Sequence, residues 1–452
     1  MAEPTVVPRA QHTLSRRDID PDALKVLYRL HHANYLAYLV GGSVRDLLLG
    51  RRPKDFDIGT DAHPYQVKRL FRNCWIIGRR FRLAHVKFGM KTVEVATFRR
   101  QVVPGTEAEP PLPHADAVRA GADDRTRPPV GGRAAVPAPG EATAPEHLVH
   151  RDNTFGTPEE DAFRRDFTVN ALFYDVATFS VIDYVGGLED LQHRVIRSIG
   201  DPEVRFREDP VRMLRAVVLG ARLGFSIDPA VVRAIDRQGR DITLSAPARL
   251  MEEYFKILRS GSATRVFRDL GASGLLQHLT PEIPSPLPAP LEQALEALDR
   301  HRARFDTAPE SLTNAILLGT VLVPLGLLAR RPRRHADGDE LPRAPLPALG
   351  ALPVARRDVE RLGQILSLQR RLRDLDASPR AKASLLHRHM FAEALTWLEI
   401  HGEAPDVVAH WRAMLEPREE REGPVEGAGE GDRGPVERRR RRRRRRRPPP
   451  RE

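Results

Sequence analysis

Apolar residues change their period several times along the chain, and each change marks a different element. Between residues 21 and 36, Leu24, Val26, Leu27, Leu30, Tyr35 and Leu36 predict a helix running toward a short strand at 37–40. Gly41-Gly42 interrupts the pattern, and a second helix is expected over 44–49. A short strand at 55–58, a helix at 64–71 and strands at 75–78, 85–88 and 93–98 follow. Residues 161–176 read as a helix passing into a strand, with a further strand at 181–184 and a Gly186-Gly187 turn. From Asp209 onward strand signals thin out. Helical spacing recurs at 210–223, 246–258, 262–270, 291–304, 312–322, 356–372, 379–386 and 390–401, with a Pro-rich hinge at 281–290 and a loop at 329–353. The fold class expected is α+β, with a mixed sheet first and an all-α region after it.

Composition adjusts this picture in three places. The chain has 452 residues, and 41% of them are hydrophobic, which excludes a wholly disordered protein. Residues 101–150 carry 9 Pro, 5 Gly and 10 Ala and no aromatic residue, so they read as a flexible insertion. Cys74 is the single cysteine, which excludes a disulfide scaffold and fits a reducing, cytoplasmic setting. The first twenty residues read as a loose leader without the apolar run of a secretory signal. The apolar stretch 312–328 is broken by Pro324, so it reads as a buried helix, and no membrane partner is expected.

The net charge of +12 belongs mostly to one place. An unbroken run of ten arginines extends from Arg438 through Arg447, and without it the formal charge is +2. The segment 417–452 is expected to be a disordered basic tail. Arginine makes up 66 of the 73 basic residues, so arginine abundance alone does not mark phosphate binding. The ten-arginine tail nevertheless attracts polyanions, and RNA is the expected contact.

The chemistry concentrates in Leu39-Val-Gly-Gly-Ser-Val-Arg-Asp-Leu-Leu-Leu-Gly50, followed by Lys54-Asp-Phe-Asp-Ile58. On a strand, Asp55 and Asp57 would share a face, about 7 Å apart along the backbone. Two carboxylates placed so closely call for a cation between them, and oxygen ligands suit Mg²⁺. Gly41 and Gly42 let the backbone approach a ligand and cradle a phosphate, with Arg45 and Arg51 near enough in sequence to add charge. A Gly-Gly turn, a short helix and Asp-x-Asp together meet the needs of metal-dependent nucleotidyl transfer, in which two metals hold the triphosphate and activate the attacking hydroxyl.

These blocks resemble the class II nucleotidyltransferases, the family of tRNA CCA-adding enzymes and bacterial poly(A) polymerases. Arg164-Arg-Asp-Phe-Thr-Val-Asn-Ala171 resembles the family's second motif, and Tyr184-Val-Gly-Gly-Leu-Glu-Asp190 and Arg197-Ser-Ile-Gly200 follow in order. Arg207-Glu-Asp-Pro-Val-Arg-Met-Leu-Arg-Ala216 resembles the helix that reads the nucleotide base. Within the family, Gly78-Arg-Arg-Phe-Arg-Leu-Ala-His85 is similar to a block typical of the poly(A) polymerases, and 365–372 is similar to their later helical stretch.

The resemblance implies a polymerase-β-like palm over 33–180, carrying the 101–150 insertion, after a leader and helix at 1–32. It implies a neck at 181–245, a helical body at 246–416 and the tail at 417–452. Asp55 and Asp57 are then the metal ligands, with Glu94 and Asp161 as candidates for a third catalytic carboxylate. Arg164, Arg165 and Asp166 fall near the incoming nucleotide, together with Gly41, Gly42 and Arg45. Asp209, Arg212 and Arg215, spaced along one helix face, are candidates for reading the base. Arg79, Arg80 and Arg82 are candidate RNA contacts, and His85 a candidate substrate contact. The implied activity is template-independent addition of adenylate from ATP to RNA 3′ ends, with two Mg²⁺ ions. The alternatives are a tRNA CCA-adding enzyme, which also uses CTP, and an RNA-binding protein with a vestigial palm.

Overall fold

The computed structural model describes residues 3–78, 82–100, 154–328 and 345–415. The 101–150 insertion, Arg79, Arg80 and the arginine run at 438–447 lie outside the described residues. The chain divides into two units, 1–403 and 404–452.

The first unit opens with β1 (Thr5–Val7) and α1 (Pro21–His32), then β2 (Ala37–Val40), α2 (Gly42–Leu48), β3 (Asp57–Thr60) and α3 (Pro64–Leu70). Strands β4 (Cys74–Ile77), β5 (Leu83–Phe88) and β6 (Lys91–Thr97) follow, and after them α4 (Pro158–Phe163), β7 (Leu172–Asp175) and β8 (Ser180–Asp183). These strands form one eight-stranded sheet in the order β1-β8-β7-β2-β3-β6-β5-β4. It is mixed, since β3 and β6 run parallel while the other neighbours are antiparallel. The α+β expectation therefore holds.

Local chemistry fixes the element starts. The Asp20 carboxylate accepts from the backbone N–H of Asp22 (2.8 Å) and Ala23 (3.4 Å), and Pro21 occupies the first helical position of α1. Thr157 and Glu160 form a reciprocal capping box at the start of α4. Strand pairing aligns Tyr38, Val40, Asp57, Gly59 and Phe173 on one face of the sheet and Leu39, Ile58, Leu172 and Tyr174 on the other. The first face carries a core of Val40, Phe98, Ala162, Ala171, Phe173 and Ile199. Across the sheet, α1 buries Ala23, Val26, Leu27 and Leu30 and packs against β2, β3 and β6.

Three expectations change here. The loose leader is wrong for residues 5–7, which pair with β8 at the sheet edge, and Leu14 and Ile19 beyond them are buried. The strand placed at 181–184 in the neck is β8, which is held inside the same sheet between β1 and β7. The strand at 55–58 begins only at Asp57. Its partner β2 ends where Val40 pairs with Asp57, and the chain then turns at Gly41 into α2, so nothing remains for Asp55 to pair with.

Helices dominate thereafter. The chain continues through α5 (Gly187–His193), β9 (Val195–Ile196), α6 (Pro202–Glu208), α7 (Val211–Leu223) and β10 (Ser226–Ile227), with β9 and β10 pairing parallel. Then come α8 (Pro229–Gln238), α9 (Pro247–Leu258), α10 (Ala263–Ala272), α11 (Leu275–Leu279), α12 (Ala289–Arg302), α13 (Asn314–Leu322), α14 (Arg356–Arg373), α15 (Pro379–Leu386) and α16 (Phe391–His401). The apolar stretch read as a broken buried helix is α13, whose residues from Ala315 to Leu322 are all buried. Among the described residues no helix is long and apolar enough to cross a membrane. The described part of the second unit contains α17 (Pro405–Leu415), which the sequence pattern did not mark.

Candidate active site

Parallel pairing of β3 with β6 sets Ile58 beside Val95, which brings Asp57 alongside Glu94 on the same face. Burial pushes the Asp57 carboxyl up to about 6, with repulsion from Glu94 and then Asp55 adding to it, while Arg165 pulls the other way. Glu94 lies opposite His85 on β5, with His85 Nε2 3.7 Å from Glu94 Oε1. Asp55 reaches the same place from the loop before β3. It is exposed, and its nearest cation is Lys54 at 3.8 Å. The structure thus keeps the two aspartates together, although only Asp57 is on a strand.

The donor set is made of carboxylate oxygens, and its central member is crowded by negative charge. That chemistry suits a hard divalent cation such as Mg²⁺. No group of three metal-binding side chains stands preassembled among the described residues.

Gly41 and Gly42 sit at the start of α2. Gly41 adopts φ +73°, and a Cβ there would lie 2.9 Å from Arg165 Nη1. The phosphate-cradle expectation needs one correction: the Gly41 N–H donates to the Leu172 carbonyl (2.9 Å), so only Gly42 of the pair lies in the first helical turn. Arg45 is buried. It donates to Asp46 (2.8 Å) and to the Asn170 side chain, so it braces the motif from behind.

Arg164, Arg165 and Asp166 follow directly on α4. Arg164 Nε (2.8 Å) and Arg165 Nη2 (2.9 Å) donate to opposite oxygens of Asp161. Arg165 also donates to the Asn170 carbonyl (3.1 Å) and lies over the Phe173 ring at 5.4 Å. Burial would raise the Asp161 carboxyl, but Arg165 and Arg164 outweigh it and hold it below the usual carboxylate range. Asp161 is therefore better placed to position these arginines than to serve as the third carboxylate. Its oxygens are committed, whereas Glu94 lies beside Asp57.

The base-reading candidates do not share one helix face. Asp209 caps α6 ahead of α7, and both its oxygens accept from Arg249 (2.8 and 2.7 Å). Arg212 donates to the Arg205 carbonyl (3.0 Å) and Glu208 (2.9 Å). Arg215 pairs with Asp166 at 2.7 Å, which joins α7 to the Arg-Arg-Asp segment. Asp166 is held low by this pairing against the effect of its burial. Arg82 is exposed, with φ +40°.

Two organising residues carried no earlier assignment. Buried Arg205 donates to the backbone carbonyls of both Arg164 and Arg165 at 2.7 Å. Asn170 links Arg45, Arg165 and Asp166. Asn170 stood within the second motif, so its position was visible. Arg205 was lost in the general arginine excess.

A family model described as the Poly A polymerase head domain matches residues 37–197. A second, the probable RNA and SrmB-binding site of polymerase A, matches 224–285, and a third, the polymerase A arginine-rich C-terminus, matches 348–447. The chain is 50% identical over 279 residues to Poly(A) polymerase I of Salmonella typhi, covering 62% of this chain and 54% of that protein. It is 34% identical over 255 residues to the CCA-adding enzyme of Lactobacillus helveticus, covering 56% of this chain and 54% of that one. The chain thus spans about half the length of the curated relatives it matches. Among solved structures, the Bacillus stearothermophilus CCA-adding enzyme in complex with CTP aligns with TM-score 0.55 and 26% identity, covering 88% of this chain and 83% of that one.

Proposed function

We propose that the chain belongs to the tRNA nucleotidyltransferase family, in its bacterial poly(A) polymerase branch, and that it adds adenylate from ATP to RNA 3′ ends without a template. The observation that carries this reading is Asp57, set beside Glu94 by the β3–β6 pairing and pushed up to about 6 by burial and by its acidic neighbours. Asp55, Asp57 and Glu94 would hold Mg²⁺, which when bound polarises phosphoryl oxygen and lowers the pKa of a coordinated hydroxyl.

The remaining residues divide the work of binding and orientation. Arg164 and Arg165 keep guanidinium N–H groups beyond those given to Asp161 and Asn170, and these take the triphosphate oxygens. Asp161 and Arg205 fix the two arginines from the side chain and backbone sides, so they are preorganised for negative charge. Gly41, in its left-handed conformation, leaves room for Arg165 beside the sheet. Asp209 and Arg212 read the adenine edge when the base competes for them with Arg249 and Glu208. Arg79, Arg80 and Arg82 contact the RNA strand, and the arginines at 438–447 add sequence-independent affinity. The single cysteine, Cys74, is buried and unpaired, in keeping with a cytoplasmic protein.

The poly(A) reading is preferred to CCA addition because identity to the Salmonella polymerase is 50%, against 34% to the Lactobacillus CCA-adding enzyme. The test supplies each nucleoside triphosphate in turn, with Mg²⁺, to a generic RNA and to a tRNA lacking CCA. Long adenylate tails on both RNAs are expected. Additions that stop at three nucleotides on tRNA and require CTP would establish CCA addition instead. Absence of any Mg²⁺-dependent incorporation would leave a vestigial palm.

A further inference from the structure

On the sheet face opposite Asp57 lies a cleft of about 480 Å³ lined by Arg9, Ser15, Arg16, Arg17, Tyr174 and Phe179. The N-terminal segment forms it by crossing the β7–β8 turn, and that segment is tied down. Strand β1 pairs with β8, Leu14 and Ile19 are buried, and His12 Nε2 lies 2.9 Å from the Phe179 carbonyl. Ser15 caps the turn by accepting from the Arg17 N–H (3.3 Å). Arg16 donates to the Tyr28 hydroxyl (2.8 Å), and its guanidinium stacks on the Phe179 ring at 4.3 Å. The arginines therefore project from a fixed turn.

Tyr174 supplies an independent observation. Its side chain is fully buried, yet its hydroxyl finds no hydrogen-bond partner among the described residues. Buried polar groups are nearly always satisfied, so an orphan hydroxyl in a cleft calls for a ligand atom. Burial raises the pKa of this hydroxyl, while Arg16 and then Arg9 lower it, which places both guanidinium groups within electrostatic reach of it. An oxyanion satisfies every party: its oxygens accept from the tyrosine hydroxyl and from the arginines together. The volume falls within the range of about 300–1,000 Å³ typical of small-molecule sites, and the half-buried Phe179 offers an apolar wall.

We propose that this cleft is a second nucleotide-phosphate site, taking either a phosphate of an RNA strand or that of a free nucleotide. It lies across the sheet from the carboxylates, so it stands or falls independently of the adenylyl-transfer reading. The hydroxyl and one guanidinium hold a single phosphate, and the remaining arginines lie where a neighbouring phosphate of the same strand would pass.

The test measures binding without divalent cation, so that no incorporation is involved. A short fluorescent oligoadenylate and AMP are titrated into wild type, Tyr174→Phe and the double variant Arg9→Ala/Arg17→Ala, from about 50 to about 200 mM salt. Tyr174→Phe keeps the ring and removes only the hydroxyl. It should weaken binding roughly three-fold, the loss of about one hydrogen bond. The arginine variant should weaken binding roughly ten-fold and flatten the logarithmic salt dependence by about 1.4, the loss of about two phosphate contacts. Losses confined to oligoadenylate identify RNA as the source of the phosphate, and losses extending to AMP identify a free nucleotide. Wild-type binding in both variants overturns the site. So does a loss in the arginine variant alone, because surface charge without the hydroxyl would then account for it.

Discussion

Asp57 offers the sharpest test of the site, because the same feature should make the protein both active and less stable. A carboxyl moved from its ordinary 3.8 to about 6 penalises the ionised folded state by up to about 3 kcal/mol, at about 1.36 kcal/mol per pH unit. Part of the Asp57 surface is open to solvent, and screening reduces this to about 1 kcal/mol. The sign is fixed by linkage. The folded state holds the proton more tightly than the unfolded chain, so the penalty is absent below pH 3.8, grows toward pH 6 and is complete above it. Asp57→Asn has the same shape without the charge. In EDTA at about pH 7.5 this variant should melt about 2 °C above wild type, the two should converge near pH 4, and Mg²⁺ should stabilise only wild type. The assay is a pair of thermal melts across pH, with and without Mg²⁺. A variant that is equally or less stable than wild type at pH 7.5 in EDTA would refute the crowding of Asp57 by Glu94 and Asp55.

Other substitutions report on the parts around it. Gly41→Ala forces a Cβ to 2.9 Å from Arg165 Nη1 at φ +73°; it should cost about 1–2 kcal/mol and raise the KM for ATP more than it changes RNA affinity, as steady-state kinetics would show. Arg205→Ala strands the carbonyls of Arg164 and Arg165 and leaves Glu208 to Arg212; denaturant unfolding should register about 3 kcal/mol, with kcat falling at saturating ATP. In the helical body, burial and then His301 push His401 down to about 4, so the stability of its neutral form is present above 6.5 and lost as pH falls toward 4. Melts across that window should lose up to about 3 kcal/mol, and His401→Gln should flatten the loss.

Most of the fold was legible because local signals agreed with it. Helical spacing located α1, α7 and α14, and alternation located β5 and β6. What was misplaced depended on long-range pairing. The leader contains only a three-residue strand, and its membership of the sheet follows from β8, some 175 residues later in the chain. The end of β2 fixed where β3 could begin, which moved Asp55 into a loop while leaving it beside Asp57. The site was legible as a set of residue types, since Gly41, Asp55, Asp57, Glu94 and Arg165 converge. The division of labour among them was not, because the same chain offers Asp161 and Glu94 as equivalent carboxylates. Only the partners distinguish them, two arginines for Asp161 and a neighbouring aspartate for Glu94.

That distinction bears on how charge is arranged in this protein. The arginines around the second motif are largely neutralised from within: Arg164 and Arg165 by Asp161, Arg215 by Asp166, and Arg212 by Glu208. Asp57 lacks such a partner among the described residues and is crowded by like charge instead. A field of neutralised cations beside an uncompensated anion is poorly suited to gripping a polyanion, but it suits holding a divalent cation and a triphosphate that arrive together. Under the proposed function, affinity for RNA would then come from surfaces whose cations are not already spent on carboxylates. Among the described residues, the cleft at Arg9, Arg16 and Arg17, where guanidinium groups meet a buried hydroxyl, is of that kind. The two proposals together place catalysis and strand retention on different residues, so each should be weakened by substitution without the other.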